Sequence, residues 1–254
     1  MNATALRTVL YVDDEPDIRT IVQIALSLSN ELTVHTGESG AQALQLAREL
    51  HPDVLLLDVM MPGLDGPGTL HKLRADPAIA DIPVIFVTAK AMPREIAQFR
   101  EMGAVGVIAK PFDPMQLIQQ LRSLWEGHDA ELAPPNGYED KAGLQRHVVH
   151  LGDRFLQRTR DETAILHTLA EHAQDGDPIV IEQMERLAHK IHGSGSMFGY
   201  AEVSVCAADL ESLVGEVRLR DAVAGAAIAP QILDSLIACT KRLAQAVEAA
   251  ATAA

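Results

Sequence analysis

The sequence predicts an α/β domain followed by an all-α domain, and three observations carry that prediction. Residues 8 to 126 alternate short β-branched apolar runs with longer segments of helical spacing, the mark of βα units on a parallel sheet. Residues 127 to 142, GHDAELAPPNGYEDKA, break both periods at Pro134-Pro135-Asn136-Gly137. Beyond them, helical spacing continues with no strand pattern. The expected organisation is a first domain at 1–127, a linker at 128–142 and a helical domain at 143–254.

In the first domain the expected strands are Thr8 to Asp14, Glu31 to Thr36, Asp53 to Val59, Pro83 to Ala89 and Ala104 to Lys110. Runs such as VLLLDV are apolar without alternation, which predicts a sheet covered by helices on both faces. Helix starts are marked at Glu15-Pro16-Asp17, at Glu38-Ser39, at Met92-Pro93 and at Asp113-Pro114. In the second domain the expected helices are Gly143 to Gln174, Ile179 to Ser196, Glu202 to Arg220 and Pro230 to Ala249. Amphipathic helices with short connections and no strands predict an antiparallel four-helix bundle.

Composition narrows the function. The chain is 48% hydrophobic and only 4% aromatic, which suits Leu-, Val-, Ile- and Ala-built helices and strands rather than an aromatic-rich all-β core. With 21 Lys and Arg against 35 Asp and Glu, the formal charge of −14 speaks against a nucleic-acid partner, because phosphate-backbone binding needs clustered cations. Cys206 and Cys239 sit in helical stretches and read as small apolar residues, consistent with a reducing cytoplasm. The N-terminal segment has no signal-peptide layout and no apolar run of about 18 residues occurs, so no membrane association is expected.

In an open parallel sheet, chemistry gathers at the carboxyl ends of the strands. Those ends are Asp13-Asp14 on the first strand, Asp58 on the third, Thr88 on the fourth and Lys110 on the fifth. Three neighbouring carboxylates call for a hard divalent cation, and Mg²⁺ is the expected one, held by Asp14 and Asp58 directly and by Asp13 through water. Asp58 is the candidate nucleophile toward phosphorus. Lys110 offers a fixed positive charge and Thr88 a hydroxyl donor to the transferred group.

The segments YVDDEPDIR, LLLDVMMPGLDG, VIFVTA and IAKPF resemble the receiver domain of bacterial response regulators. The resemblance implies a flavodoxin-like sheet of order 2-1-3-4-5, phosphorylation of Asp58, a backbone-carbonyl metal ligand from Met60 and a cis peptide before Pro111. Met60 and Lys90 are expected to stand near the pocket, where they would tune the rates of phosphorylation and dephosphorylation. Val107 departs from the pattern, standing where many receivers carry the Tyr or Phe of a Thr/aromatic switch. That substitution suits a domain used chiefly as a phosphoryl carrier.

The second domain has no Gly-rich phosphate loop, metal-spaced Cys/His cluster or nucleophile elbow, so single side chains must carry its chemistry. Helical spacing places Met184, Leu187, Ala188 and Ile191 on an apolar stripe and Glu185, His189 and His192 on the opposite face, where His189 is expected to be exposed. Gly193 one turn on would leave a bare patch for a partner's active site. A neutral imidazole can take a phosphoryl group and return it. A lone solvent-facing His on a helix ordinarily does nothing, however, and the chain has 10 His.

Context decides the matter, because AHKIHGSGSMFG resembles the motif of histidine phosphotransfer (HPt) domains. Carried over, the resemblance makes His189 the phosphoacceptor and Ile191 a core residue, and it matches Gly193 and Gly199 to the motif glycines. His192 stands where Lys is common, so a charge near the phosphate would depend on protonation and transfer would become sensitive to pH.

The expected function is a two-component phosphorelay protein: Asp58 accepts phosphoryl from a sensor histidine kinase or phosphohistidine donor, and His189 exchanges it with a receiver. Partners are then kinases and other receiver or HPt proteins. The alternative is a docking protein whose helical domain binds a kinase or receiver without carrying phosphate. No small-metabolite enzyme is expected, although the receiver would catalyse its own phosphorylation and dephosphorylation. The opening Met and the absence of a kinase ATP-binding segment favour a separate protein over the tail of a hybrid kinase.

Overall fold

The computed structural model describes residues 6–29, 31–89, 92–125, 141–221 and 228–253, and the side chains of all of these except 141–150, 219–221 and 253. The chain divides into two compact units, Met1–His147 and Val148–Ala254. Most of the expected linker, and Lys90, lie outside the described residues.

In the first unit β1 (Thr8–Val12), α1 (Pro16–Ser27), β2 (Thr33–Gly37), α2 (Gly40–Leu50), β3 (Val54–Asp58), α3 (Gly66–Arg74), β4 (Val84–Thr88), α4 (Pro93–Glu101), β5 (Gly106–Ala109) and α5 (Leu117–Trp125) alternate. The strands form one parallel sheet in the order β2-β1-β3-β4-β5. All residues of β3 and β4 are buried, as their unbroken apolar runs require of strands covered on both faces. β1 ends at Val12 rather than Asp14 because the Asp13 carboxylate accepts the Glu15 amide at 2.9 Å and turns the chain toward α1. Short polar side chains cap two helices: Ser39 accepts the Gln42 amide ahead of α2, and Asp65 accepts the Gly68 amide ahead of α3.

The second unit is built from α6 (Lys141–His172) from Val148 onward, with α7 (Pro178–Gly195), α8 (Ala201–Asp221) and α9 (Pro230–Ala253) and 3₁₀ turns at Ala173–Asp175 and Ser196–Phe198. Side-chain links give the arrangement. Phe155 stacks on Phe198, just beyond α7, while Glu162 meets Lys190 further back along α7, so α6 and α7 run antiparallel. Glu185 meets Arg218 and His192 meets Glu211 across α7 and α8. Arg242 meets Asp209 across α9 and α8, and Arg160 and His167 meet Glu248 and Thr240 across α6 and α9. Each helix has two neighbours, which closes the antiparallel four-helix bundle. Cys239 is buried and Cys206 half-buried. Gly199 takes φ 90°, a left-handed conformation that glycine adopts without strain. Among the described residues no helix is long and apolar enough to cross a membrane.

The start of α3 presses on the end of β3: a Cβ on Gly66 would stand 2.4 Å from the Asp58 carbonyl oxygen and 2.8 Å from the Val59 Cα. Both are backbone atoms, so the helix must move to admit it. Gly66→Ala is expected to destabilise the first unit by about 1–3 kcal/mol. The change reads as a lower urea midpoint in the fluorescence of Trp125, the single tryptophan, which lies in α5. An unchanged midpoint would show that the contact has slack.

Candidate functional site

At the order reversal between β1 and β3, the carboxyl ends of neighbouring strands face one crevice. Asp58 is the last residue of β3, Asp13 and Asp14 follow β1, Thr88 closes β4 and Lys110 follows β5. The structure brings them together. Lys110 Nζ donates to Asp58 Oδ1 and to Asp13 Oδ2, each at 2.7 Å. Asp13, Asp58, Thr88 and Lys110 are buried, while Asp14 is half-exposed. Thr88 pairs in register with Ala109 across β4 and β5. The Met60 amide donates to Asp58 Oδ2 at 3.0 Å, and the peptide bond between Lys110 and Pro111 is cis.

Acidic groups gather there: Asp13, Asp14 and Asp58 each offer an oxygen within 4.8 Å of the others, and Lys110 pairs with Asp13 and Asp58. Burial first, then the neighbouring Asp13 and Asp14, push the Asp58 carboxyl up to about 7 despite the opposing pull of Lys110. Burial also works against the charge on Lys110, yet the two carboxylates hold its ammonium well above the usual lysine range. Burial acts likewise on Asp13, but Lys110, Tyr11 and the Glu15 amide together bring its carboxyl below the usual range. A site of three oxygen donors that resists ionising one of them suits a hard dication, so the residues fit Mg²⁺.

Tyr11 is a contributor that sequence reasoning missed. Its ring is fully buried in β1 and its hydroxyl donates to Asp13 Oδ2 at 2.5 Å. Tyr11 falls within the expected first strand, but nothing in the sequence shows where its hydroxyl points. Val107, at the switch position, is half-buried, packs against the core and lies in register with Phe86.

In the second unit one expectation is overturned. His189 is not exposed; it is buried, as are Glu185 and Gly193, and only His192 on that face stays half-exposed. The single-stripe reading treated α7 as a surface helix, but α7 packs against both α6 and α8, and its polar face is the one toward α8. That face is satisfied by buried carboxylate pairing. Glu211 of α8 sets Oε1 2.9 Å from His189 Nδ1 and Oε2 2.9 Å from His192 Nδ1, while Glu185 accepts from Arg218 at 2.7 Å. Close approach to α8 falls at Gly195, where a Cβ would stand 3.0 Å from the Ser204 amide nitrogen. Glu211 was not singled out in the sequence, because it lies 22 residues beyond His189 on another helix and belongs to no local motif.

A carboxylate only accepts hydrogen bonds, so both Nδ1 atoms carry the proton and each Nε2 keeps its lone pair.

Comparison with known proteins agrees with this division. The family model for the response regulator receiver domain matches residues 9–122, and that for the Hpt domain matches residues 151–253. A probable transcriptional regulator, ycf27, of Guillardia theta is 39% identical over 116 residues, covering 46% of this chain and 44% of that protein. The DNA-binding response regulator MtrA of Mycolicibacterium smegmatis is 35% identical over 130 residues, covering 51% of this chain and 55% of that protein. The chain thus spans about half the length of these relatives. The solved structure of Vibrio cholerae chemotaxis protein CheY4 aligns with a TM-score of 0.44 at 30% identity, covering 47% of this chain and 99% of that one. The chain thus carries a response regulator receiver domain over residues 9–122 followed by an Hpt domain over residues 151–253.

Proposed function

We propose that the chain is a two-component phosphorelay protein in which Asp58 and His189 are alternating phosphoryl acceptors. The observation that carries this reading is the presence, in one chain, of a buried carboxylate braced by Lys110 and an imidazole braced by Glu211. Sensor kinases and other receiver or Hpt proteins are the partners such chemistry serves.

In the first step Asp58 attacks the phosphorus of a phosphohistidine: an O–P bond forms, the N–P bond breaks and the imidazole leaves with its electron pair. Lys110, already 2.7 Å from Asp58 Oδ1, can transfer a donor to a phosphoryl oxygen without leaving Asp13, and the Thr88 hydroxyl serves a second oxygen. Bound Mg²⁺ would be held by Asp14, Asp58 and the Met60 carbonyl and would offset charge on the phosphoryl oxygens. Asp13 suits a water-mediated role, since Oδ1 already accepts the Glu15 amide and Oδ2 accepts both Tyr11 and Lys110. In the second step His189 Nε2 attacks the phosphorus of an aspartyl phosphate, the O–P bond breaks and the carboxylate leaves with its electron pair, while Glu211 holds the Nδ1 proton and balances the cationic ring. Its Nε2 is defined by that bond and not by free exposure to solvent.

The acceptor chemistry is tested with radiolabelled phosphoramidate on the full chain. Aspartyl phosphate is base-labile and phosphohistidine acid-labile, so Asp58→Asn is expected to remove the base-labile label and His189→Gln to lower the base-stable label at least about twofold. Full retention of both kinds of label in these variants would contradict the assignment, and loss of downstream transfer separates a relay from a docking protein.

The pocket also sets a pH dependence. A carboxyl raised from about 3.9 in the unfolded chain to about 7 in the fold contributes stability below the lower value, and that contribution is lost as pH rises through the upper one. In EDTA, the Trp125-monitored melting temperature is expected to fall between about pH 5 and pH 7.5 more in wild type than in Asp58→Asn. Added Mg²⁺ is expected to raise it more at the higher pH. Equal slopes in the two proteins would remove the support for a strained Asp58.

A further inference from the structure

Two imidazoles share one carboxylate in the second unit, although only one of them fills the acceptor position of the Hpt motif. His189 and His192 lie three residues apart on α7, so their side chains leave the same helical face about 5–6 Å apart at Cβ. Each Nδ1 is 2.9 Å from its own Glu211 oxygen. Both rings are thereby fixed as the Nδ1–H tautomer with a nucleophilic Nε2, and both would have a counter-ion if they became cationic.

They differ in access. The His189 side chain is 6% exposed and that of His192 is 26% exposed. An aspartyl phosphate arrives inside a recessed crevice, as the burial of Asp58 in this chain's own receiver illustrates, so an acceptor nitrogen must project beyond its own helix surface. By that measure His192 is the better placed of the two.

We propose that His192 is a second phosphoryl acceptor, its Nε2 presented beside that of His189, with Glu211 orienting both rings; this rests on the phosphotransfer reading above. In the transfer His192 Nε2 attacks phosphorus, the N–P bond forms as the O–P bond of the aspartyl phosphate breaks, and the carboxylate leaves with its electron pair. The ring keeps its Nδ1 proton, becomes a cation and is balanced by Glu211. No proton need leave the buried pair at that moment. One carboxylate can fully balance one such cation, so phosphorylation of one ring disfavours phosphorylation of the other, and the pair behaves as one site with two positions.

The chain supplies its own reference. His172 is exposed and its Nδ1 donates to the Thr168 carbonyl at 2.7 Å, so it presents the same tautomer without a carboxylate behind it. Full-length Asp58→Asn protein would be phosphorylated with phosphoramidate, which gives up its phosphoryl group with loss of ammonia, and phosphohistidines would be mapped by tandem mass spectrometry. The expected result is label on both His189 and His192, rarely on both in one molecule, with His192 labelled about tenfold faster than His172. His189→Gln, checked for helicity by circular dichroism, is expected to retain at least about a fifth of the base-stable label, now on His192, and His189→Gln with His192→Gln to lose it. Labelling of His192 no faster than His172, or loss of all but background label in His189→Gln while His192→Gln keeps it, would overturn the proposal and leave His189 as sole acceptor. Absence of label from both α7 histidines in the parent protein would overturn the phosphotransfer reading itself.

Discussion

The ammonium of Lys110, held 2.7 Å from both Asp13 and Asp58, is the interaction on which the first unit depends. Two carboxylates at that separation in a buried crevice repel each other, and a single cation between them makes the arrangement tolerable. Its placement requires the ends of β1, β3 and β5 to converge, which only the order reversal of the parallel sheet provides. The sheet core of Val9–Val12, Leu55–Leu57 and Val84–Val87 holds those ends in register, and the bare backbone of Gly66 lets α3 close over β3. Burial and the neighbouring carboxylates make Asp58 reluctant to ionise, and the same cluster of oxygens fits a dication.

The helical unit solves a related problem with the signs exchanged. There one buried carboxylate, Glu211, serves two bases. On the proposed phosphotransfer, neutral imidazoles would satisfy it as donors and a phosphorylated ring as a cation, so burial of His189 would be compatible with that chemistry.

Much of the fold was legible in the sequence because each element carries its own signal. Unbroken apolar runs announced buried strands, Pro16 and Pro93 opened helices, and Asp13, Asp14, Asp58 and Lys110 stood at strand ends where the topology gathers them. Other features were hidden for a common reason: they depend on what another helix or strand presents. A hydrophobic stripe tells which face of α7 is apolar, but not that its polar face meets Glu211 and Arg218. Tyr11 reads as one more strand residue until the direction of its hydroxyl is known. Gly193 looked like an opening for a partner and is instead buried within the bundle.

The most direct measurement of the central claim is the titration of the Asp58 carboxyl carbon by NMR in metal-free protein and again with Mg²⁺. A midpoint near 7 that falls by a unit or more on adding Mg²⁺ is expected if burial and the neighbouring carboxylates oppose ionisation of Asp58. A midpoint near about 4 in EDTA, unmoved by Mg²⁺, would contradict it.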